Sequence, residues 1–188
     1  MKFTELNEVQ KAKAIENYRN INTDEGFDDC ELDDFSTLMA EYGFSNIKIS
    51  YDTSFCQGSG ASFTTEYINL QDYINKTEQQ EKYKSLLEFI KDSELTGKVV
   101  RLTHHYNHSN TVMADFENLY CIDSTPEQDK LIEEFGKELT EFLRTECDKF
   151  HRAMETMVLN LNSDEAVQDA IIANDYDFEI KDPEVTYL

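Results

Sequence analysis

The strongest constraint on the fold lies in the last third of the chain. Leu131, Phe135, Leu139, Phe142, Leu143, Cys147, Phe150, Met154 and Met157 recur at steps of three and four residues, which places them on one face of a helix of roughly 30 residues and about eight turns. Its start is equally marked, because Thr125-Pro126-Glu127-Gln128 offers an N-cap, a proline at the first helical position and a capping glutamine. So long an apolar stripe needs a broad partner, and the spacing predicts a helix laid across a sheet face. Met154 and Met157 read as core gap-fillers rather than as a binding surface.

Two hairpins can supply that sheet. From Asn46 the period changes to two, with Ile47, Ile49 and Tyr51 facing one way and Lys48, Ser50 and Asp52 the other. A glycine-punctuated loop, Gln57 to Gly60, turns the chain into Ala61 to Leu70, where Phe63, Thr65, Tyr67 and Asn69 alternate with Ser62, Thr64, Glu66 and Ile68. Val99 to Tyr106 and Thr111 to Tyr120 form the second hairpin, with Asn107 to Asn110 as its polar turn. Gly97 closes the connection that leads into it.

Shorter elements complete the chain. A first helix over 4–20 takes Thr4 as N-cap, and a second carries Leu32, Phe35, Leu38, Met39 and Tyr42 and ends at Gly43. Thr77 with Gln80 reads as a capping box for a helix through Tyr83, Leu86, Leu87 and Ile90. Ser163 caps a helix over Asp164 to Ala173, then Tyr176, Phe178 and Ile180 alternate as a short strand, and the tail after Pro183 is expected to fray. The expectation is one α+β domain over 1–188, an antiparallel sheet of four or five strands packed against helices, including the long C-terminal one.

Charge narrows the function. Thirty-nine acidic against seventeen basic residues leave a formal charge of −22, which repels nucleic acid and anionic membrane and favours basic partners. The acids are clustered. Asp24, Asp28, Asp29, Glu31, Asp33 and Asp34 fall in an eleven-residue stretch with no base, and Asp164, Glu165, Asp169, Asp175, Asp177 and Glu179 make a second group. Asp33 and Asp34 suit the first turn of a helix, and the rest of the first group reads as a solvated loop. No apolar run approaches the roughly 18 residues of a membrane span, and no lipidation motif is present, so a soluble cytoplasmic protein is expected. Cys30, Cys56, Cys121 and Cys147 lack C-x-x-C spacing and read as free thiols.

Candidate chemistry centres on His104, His105 and His108 beside Tyr106. His104 and His108 would share a strand face, so a metal site needs a carboxylate such as Asp115 or Glu117 to approach them. Cys56 with His104 or His105 would make a nucleophile and base if the two hairpin turns lie on one edge of the sheet. The simpler reading makes them turn and core residues, with no catalytic residue, metal or cofactor. The glycine loop lacks the G-x-x-x-x-G-K spacing of a phosphate-binding loop.

Three short motifs in order carry a resemblance. They are Gln57-Gly58-Ser59-Gly60-Ala61-Ser62-Phe63, Thr103-His104-His105-Tyr106-Asn107-His108, and Ser163 to Val167 leading to Ala173-Asn174-Asp175-Tyr176-Asp177-Phe178. Over roughly residues 30 to 180 the chain resembles a family of small phage and prophage proteins loosely labelled antitoxins of toxin–antitoxin systems. That family usually has an aspartate where this chain has Ser59, and H-Y-Y-H where it has His105-Tyr106-Asn107-His108. The resemblance implies a phage or mobile-element origin. Together with the charge it leads to the expectation of a non-enzymatic inhibitor of a bacterial host defence machine, of the anti-CRISPR or anti-restriction kind. It would cover a basic nucleic-acid-binding surface with its acids as a DNA mimic. The alternatives are an antitoxin or regulatory module that neutralises a basic toxin, and a metal-dependent hydrolase built on the histidines.

Overall fold

The long apolar stripe does form one helix, Pro126–Leu161, and it is longer than the spacing alone implies at 36 residues. The computed structural model describes all 188 residues except Glu25, Phe55, His104, residues 118–123, residues 182–183 and Leu188, and only the backbone of 180–181 and 184–187. In chain order the elements are α1 (Glu8–Asn17), α2 (Asp29–Glu41), β1 (Phe44–Ser45), β2 (Lys48–Asp52), β3 (Gly60–Ile68), α3 (Leu70–Lys76) and α4 (Lys84–Ser93). There follow β4 (Thr96–Arg101), β5 (Val112–Glu117), α5 (Pro126–Leu161), α6 (Asp164–Ala173), β6 (Phe178–Lys181) and β7 (Glu184–Tyr187). They form two compact units, Cys30–Ala153 and Met1–Asp29 with Met154–Leu188.

The first unit holds the α+β core. Its antiparallel sheet has five strands: β1 and β2 both pair with β3, which pairs with β4, which pairs with β5. The split partner of β3 arises between β1 and β2, where Asn46 takes a left-handed φ of 55° and re-aims the chain. A second irregularity decides the core. Thr65 pairs with Val99 but Ile68 with Gly97, so β3 carries one extra residue there. The bulge brings Ile68, which simple alternation puts opposite Phe63 and Thr65, onto their buried face. Glu66 and Tyr67 are left in solvent.

On that face the helices pack through aromatic rings. Phe63 meets Phe35 of α2 and Phe44 of β1 edge-on, with centroids 5.5 and 6.1 Å apart, and Phe135 of α5 meets Tyr73, Tyr83 and Phe116 within 6.0 Å. Each such pair contributes about 0.5–1.5 kcal/mol beyond the area it buries. Helix α5 is also bonded to the sheet edge, since Ala114 N–H donates to Thr140 Oγ1 at 3.1 Å and Arg144 Nε to the Val112 carbonyl at 3.2 Å. Its start follows the expected cap, Thr125 N–H to Gln128 Oε1 and Gln128 N–H to Thr125 Oγ1. Buried Tyr83 donates its hydroxyl to Glu138 at 2.8 Å, and Lys82 pairs with the same carboxylate.

Several local expectations are corrected. Thr77 does not open a helix; it ends α3, a helix the alternating pattern hid, and its hydroxyl donates back to the Tyr73 carbonyl. Helix α4 starts after Tyr83 instead. Gly97 lies inside β4, where an added Cβ would come within 2.9 Å of Leu70, and the left-handed residue before β4 is Glu94. The second hairpin closes at Arg101 and Val112, so His105 and Tyr106 lie outside the strand in which they were expected, and His104 lies outside the described residues. Helix α2 begins at Asp29, so Asp29 and Glu31, expected in a solvated loop, stand on its first turn, and Asp33 and Asp34, expected on the first turn, stand on its second.

The second unit closes its own small core. Phe3, Leu6, Ala14, Ile15, Val167, Ile171 and Phe178 form it, flanked by Tyr18, Ile21 and Tyr176. The first helix is shorter than expected: Asn7, not Thr4, is the N-cap of α1, in a reciprocal box with Gln10, and Val9 is exposed. Ser163 caps α6 as its position predicts. The tail is not frayed, because β6 and β7 pair in register from Phe178↔Tyr187 to Lys181↔Glu184. On its other side β6 takes the chain's first residues, with Phe178 N–H donating to the Met1 carbonyl at 2.8 Å.

Candidate functional site

Hairpin register brings the glycine loop and the histidine segment to the same end of the sheet. The β2–β3 hairpin closes at Asp52↔Gly60, and the antiparallel β3–β4 pairing carries Arg101 toward that end. The loops touch. Asn107 N–H donates to the Gly58 carbonyl at 3.3 Å, a Cβ on Gly58 would lie 3.0 Å from the Tyr106 ring, and one on Gly60 would lie 2.4 Å from His108 Cα. Glycine is needed at position 60 because the backbone of the other loop occupies the space a side chain would take.

Each loop is braced from within. Ser54 N–H donates to Asp52 Oδ1 at 2.8 Å and Cys56 N–H to Ser59 Oγ at 2.9 Å, while His151 of α5 holds the hairpin end through Nε2 and the Asp52 carbonyl at 3.0 Å. A carbonyl only accepts, so that ring carries its proton on Nε2. Opposite, Arg101 donates to the Tyr106 carbonyl at 2.8 Å and to Asn107 Oδ1 at 3.0 Å, and the Tyr106 and His108 rings stack 5.6 Å apart. Arg101 Nε and His108 Nδ1 are buried with no hydrogen-bond partner among the described residues.

Cys56 is exposed in this cluster. Hydrogen bonds from Ser54 and Ser59, at 3.2 and 3.5 Å, and from the Gly58 backbone hold its thiol below the usual cysteine range, against the opposing charge of Asp52. Asp52 is itself lowered, first by its bonds from Ser54. Cys147 contrasts, since burial pushes its thiol up to about 12. The hydroxyls stabilise a thiolate, and among the described residues no imidazole is bonded to Cys56. His104 lies outside the described residues, and His105 is exposed with its N–H on Thr103. Asp115 and Glu117, the carboxylates a histidine metal site would need, pair instead with Lys98 at 3.5 and 2.9 Å. Among the described residues no three His, Cys, Asp or Glu side chains are placed to hold a metal.

The two acidic groups differ in kind. In the second, Asp164 pairs with Arg19, Lys2 bridges Asp175 and Asp177 at 3.1 and 3.2 Å, and Glu179 is also engaged, leaving Glu165 and Asp169 with no ion pair among the described residues. These acids stitch the chain's first residues to α6 and the turn after it. In the first group Asp24, Asp29, Glu31, Asp33 and Asp34 have no ion pair among the described residues, and all but Glu31 are well exposed. Asp28 is half-buried and engaged. Beside α2 the structure adds a feature not read from the sequence. A groove of about 330 Å³ runs between α2 and α5 within the sheet-bearing unit, reaching Leu38 and Ala153.

The site-bearing unit is thus a five-stranded antiparallel α+β module with an acidic helix and no assembled catalytic set among its described residues. The chain belongs to the family described as Domain of unknown function (DUF8835), which matches residues 27–164. That span includes both loops, most of the first acidic group and the groove, and stops at Asp164 before the rest of the second group. No curated protein and no solved structure matches the chain. No helix among the described residues is long and apolar enough to cross a membrane.

Proposed function

We propose that this protein acts by binding, as a phage-encoded inhibitor of a bacterial host defence machine of the anti-CRISPR or anti-restriction kind, in the host cytoplasm. The surface it offers is α2, and the target is a basic, nucleic-acid-binding face of the partner. The observation that carries the reading is the row Asp29, Glu31, Asp33 and Asp34 on α2, which has no ion pair among the described residues, in a chain that pairs many of its other acids. Unpaired carboxylates keep their charge available to a partner, and duplex DNA, the ligand they would displace, carries one charge per about 1.7 Å of axis. The phage origin rests on the resemblance of the glycine and histidine motifs.

The test is a pull-down from bacteria carrying such defences at about 50 mM salt, followed by elution with duplex DNA and with salt. A nuclease or nucleic-acid-binding protein should be captured, displaced by DNA and lost by about 200 mM salt. Recovery of no such partner at low salt refutes the proposal. The antitoxin label of the resembling family favours a second reading, neutralisation of a basic toxin. It requires a neighbouring gene whose product is toxic alone and harmless with this protein.

A further inference from the structure

The groove between α2 and α5 combines an apolar floor with an acidic rim. The floor is Phe35 and Leu38 of α2 with Phe150 and Ala153 of α5, and the Phe35 and Phe150 rings lie 4.8 Å apart beneath it. The rim is Glu31, Asp34 and Glu146, against the single cation Lys149, which already bonds Glu146 at 2.7 Å. On each helix the lining residues follow i, i+3, i+4, i+7, so two continuous stripes face one another. Leu38 keeps 40% of its surface in water although a helix turn away Phe35 is buried. An isolated acidic surface would need no such floor.

We propose that the groove receives an amphipathic, basic segment of the partner protein. One apolar side chain seats against Phe35, Leu38 and Phe150, and flanking Lys or Arg side chains reach Glu31 and Asp34. This deepens the carboxylate reading and rests on it. The mode is that of an amphipathic helix in a groove, where apolar anchors give affinity and rim charges set orientation and on-rate. Charge selects this occupant: a second copy of this chain would bring another −22 to an acidic rim, and nucleic acid is repelled by it.

The probes are two labelled 18-residue peptides with the same lysines, one carrying leucine at i, i+3, i+4 and i+7 and the other serine there. Anisotropy titrations are run at about 50 and 150 mM salt. The leucine peptide should bind at least about tenfold more tightly than the serine peptide at the higher salt. Leu38→Gln with Ala153→Gln should erase most of that advantage while leaving the serine peptide and the melting temperature unchanged; both positions are exposed, so folding is spared. Glu31→Gln with Asp34→Asn should weaken both peptides. The proposal is overturned if the two peptides bind equally, if the double glutamine variant keeps the advantage, or if a leucine peptide with glutamates for lysines binds as well. A dimer in sedimentation that Leu38→Gln abolishes would assign the groove to a second copy and overturn it too. Equal binding of both lysine peptides removes the groove and leaves the carboxylate reading standing, whereas binding of neither at low salt removes both.

Discussion

Replacing Gly60 by alanine tests the contact that joins the two loops. The new Cβ would sit 2.4 Å from His108 Cα, 2.7 Å from His108 Cβ and 3.0 Å from His108 N, all well inside van der Waals contact. Two of these three atoms are backbone, so no rotamer change relieves the clash and one loop must move. Gly60 also has a φ of 156°, at the margin of what a side chain accepts. Overpacking against backbone costs about 1–3 kcal/mol and a disfavoured dihedral about 1–3 more, against a gain of about 0.4–1 from a stiffer unfolded chain. The net loss is about 2–4 kcal/mol, which for a chain of this size lowers the melting temperature by about 5–15 °C. Gly58→Ala is the internal control, because its Cβ meets only the Tyr106 ring at 3.0 Å, and that half-exposed ring can swing away. Its change should stay within about 1 kcal/mol of wild type. Thermal melts followed by circular dichroism and a urea midpoint read both variants. A Gly60→Ala melting temperature within about 2 °C of wild type would refute the reasoning. Rescue by His108→Ala would refute it too, since that change leaves Cα, Cβ and N in place.

Replacing Asp29, Asp33 and Asp34 together by lysine should slow association with a basic partner at least about tenfold and shift the melting temperature by only a few degrees. A complex that forms as fast and survives about 500 mM salt would reject carboxylate display as the mechanism. The Glu138 carboxyl is held below its usual range, first by Lys82 and then by Tyr83. A depressed carboxyl stabilises the fold above its unfolded pKa and loses that contribution as pH falls through the folded value. Wild type should therefore lose more stability than Glu138→Gln between about pH 5 and pH 3, and parallel pH profiles would contradict this. Cys56 should react with a thiol reagent at neutral pH while Cys147 stays protected until unfolding. Ser54→Ala with Ser59→Ala should slow the Cys56 reaction, as read by mass mapping of labelled peptides.

What the sequence determined by itself is what depends on neighbours along the chain. The 3.6-residue stripe from Leu131 to Met154, the Thr125 and Ser163 caps and the glycine turn between β2 and β3 each act within a few residues, so their signals are local and they hold in the structure. The acidic excess belongs to the same class, being a sum over residues. Helix α3 escaped because its seven residues carry Leu70, Tyr73 and Ile74 directly after a strand, and a short apolar run satisfies either period. The bulge at Glu66 and Tyr67 was out of reach, since an extra residue is defined only against the partner strand. Tertiary structure alone decided that Gly60 meets His108, that Lys2 and Arg19 take up Asp164, Asp175 and Asp177 of the second acidic group, and that Glu31 and Asp34 have no ion pair among the described residues beside an apolar floor. Whether a carboxylate is a structural pair or an available charge depends on which cation folding brings within about 4 Å, and residues more than a hundred positions apart decide that.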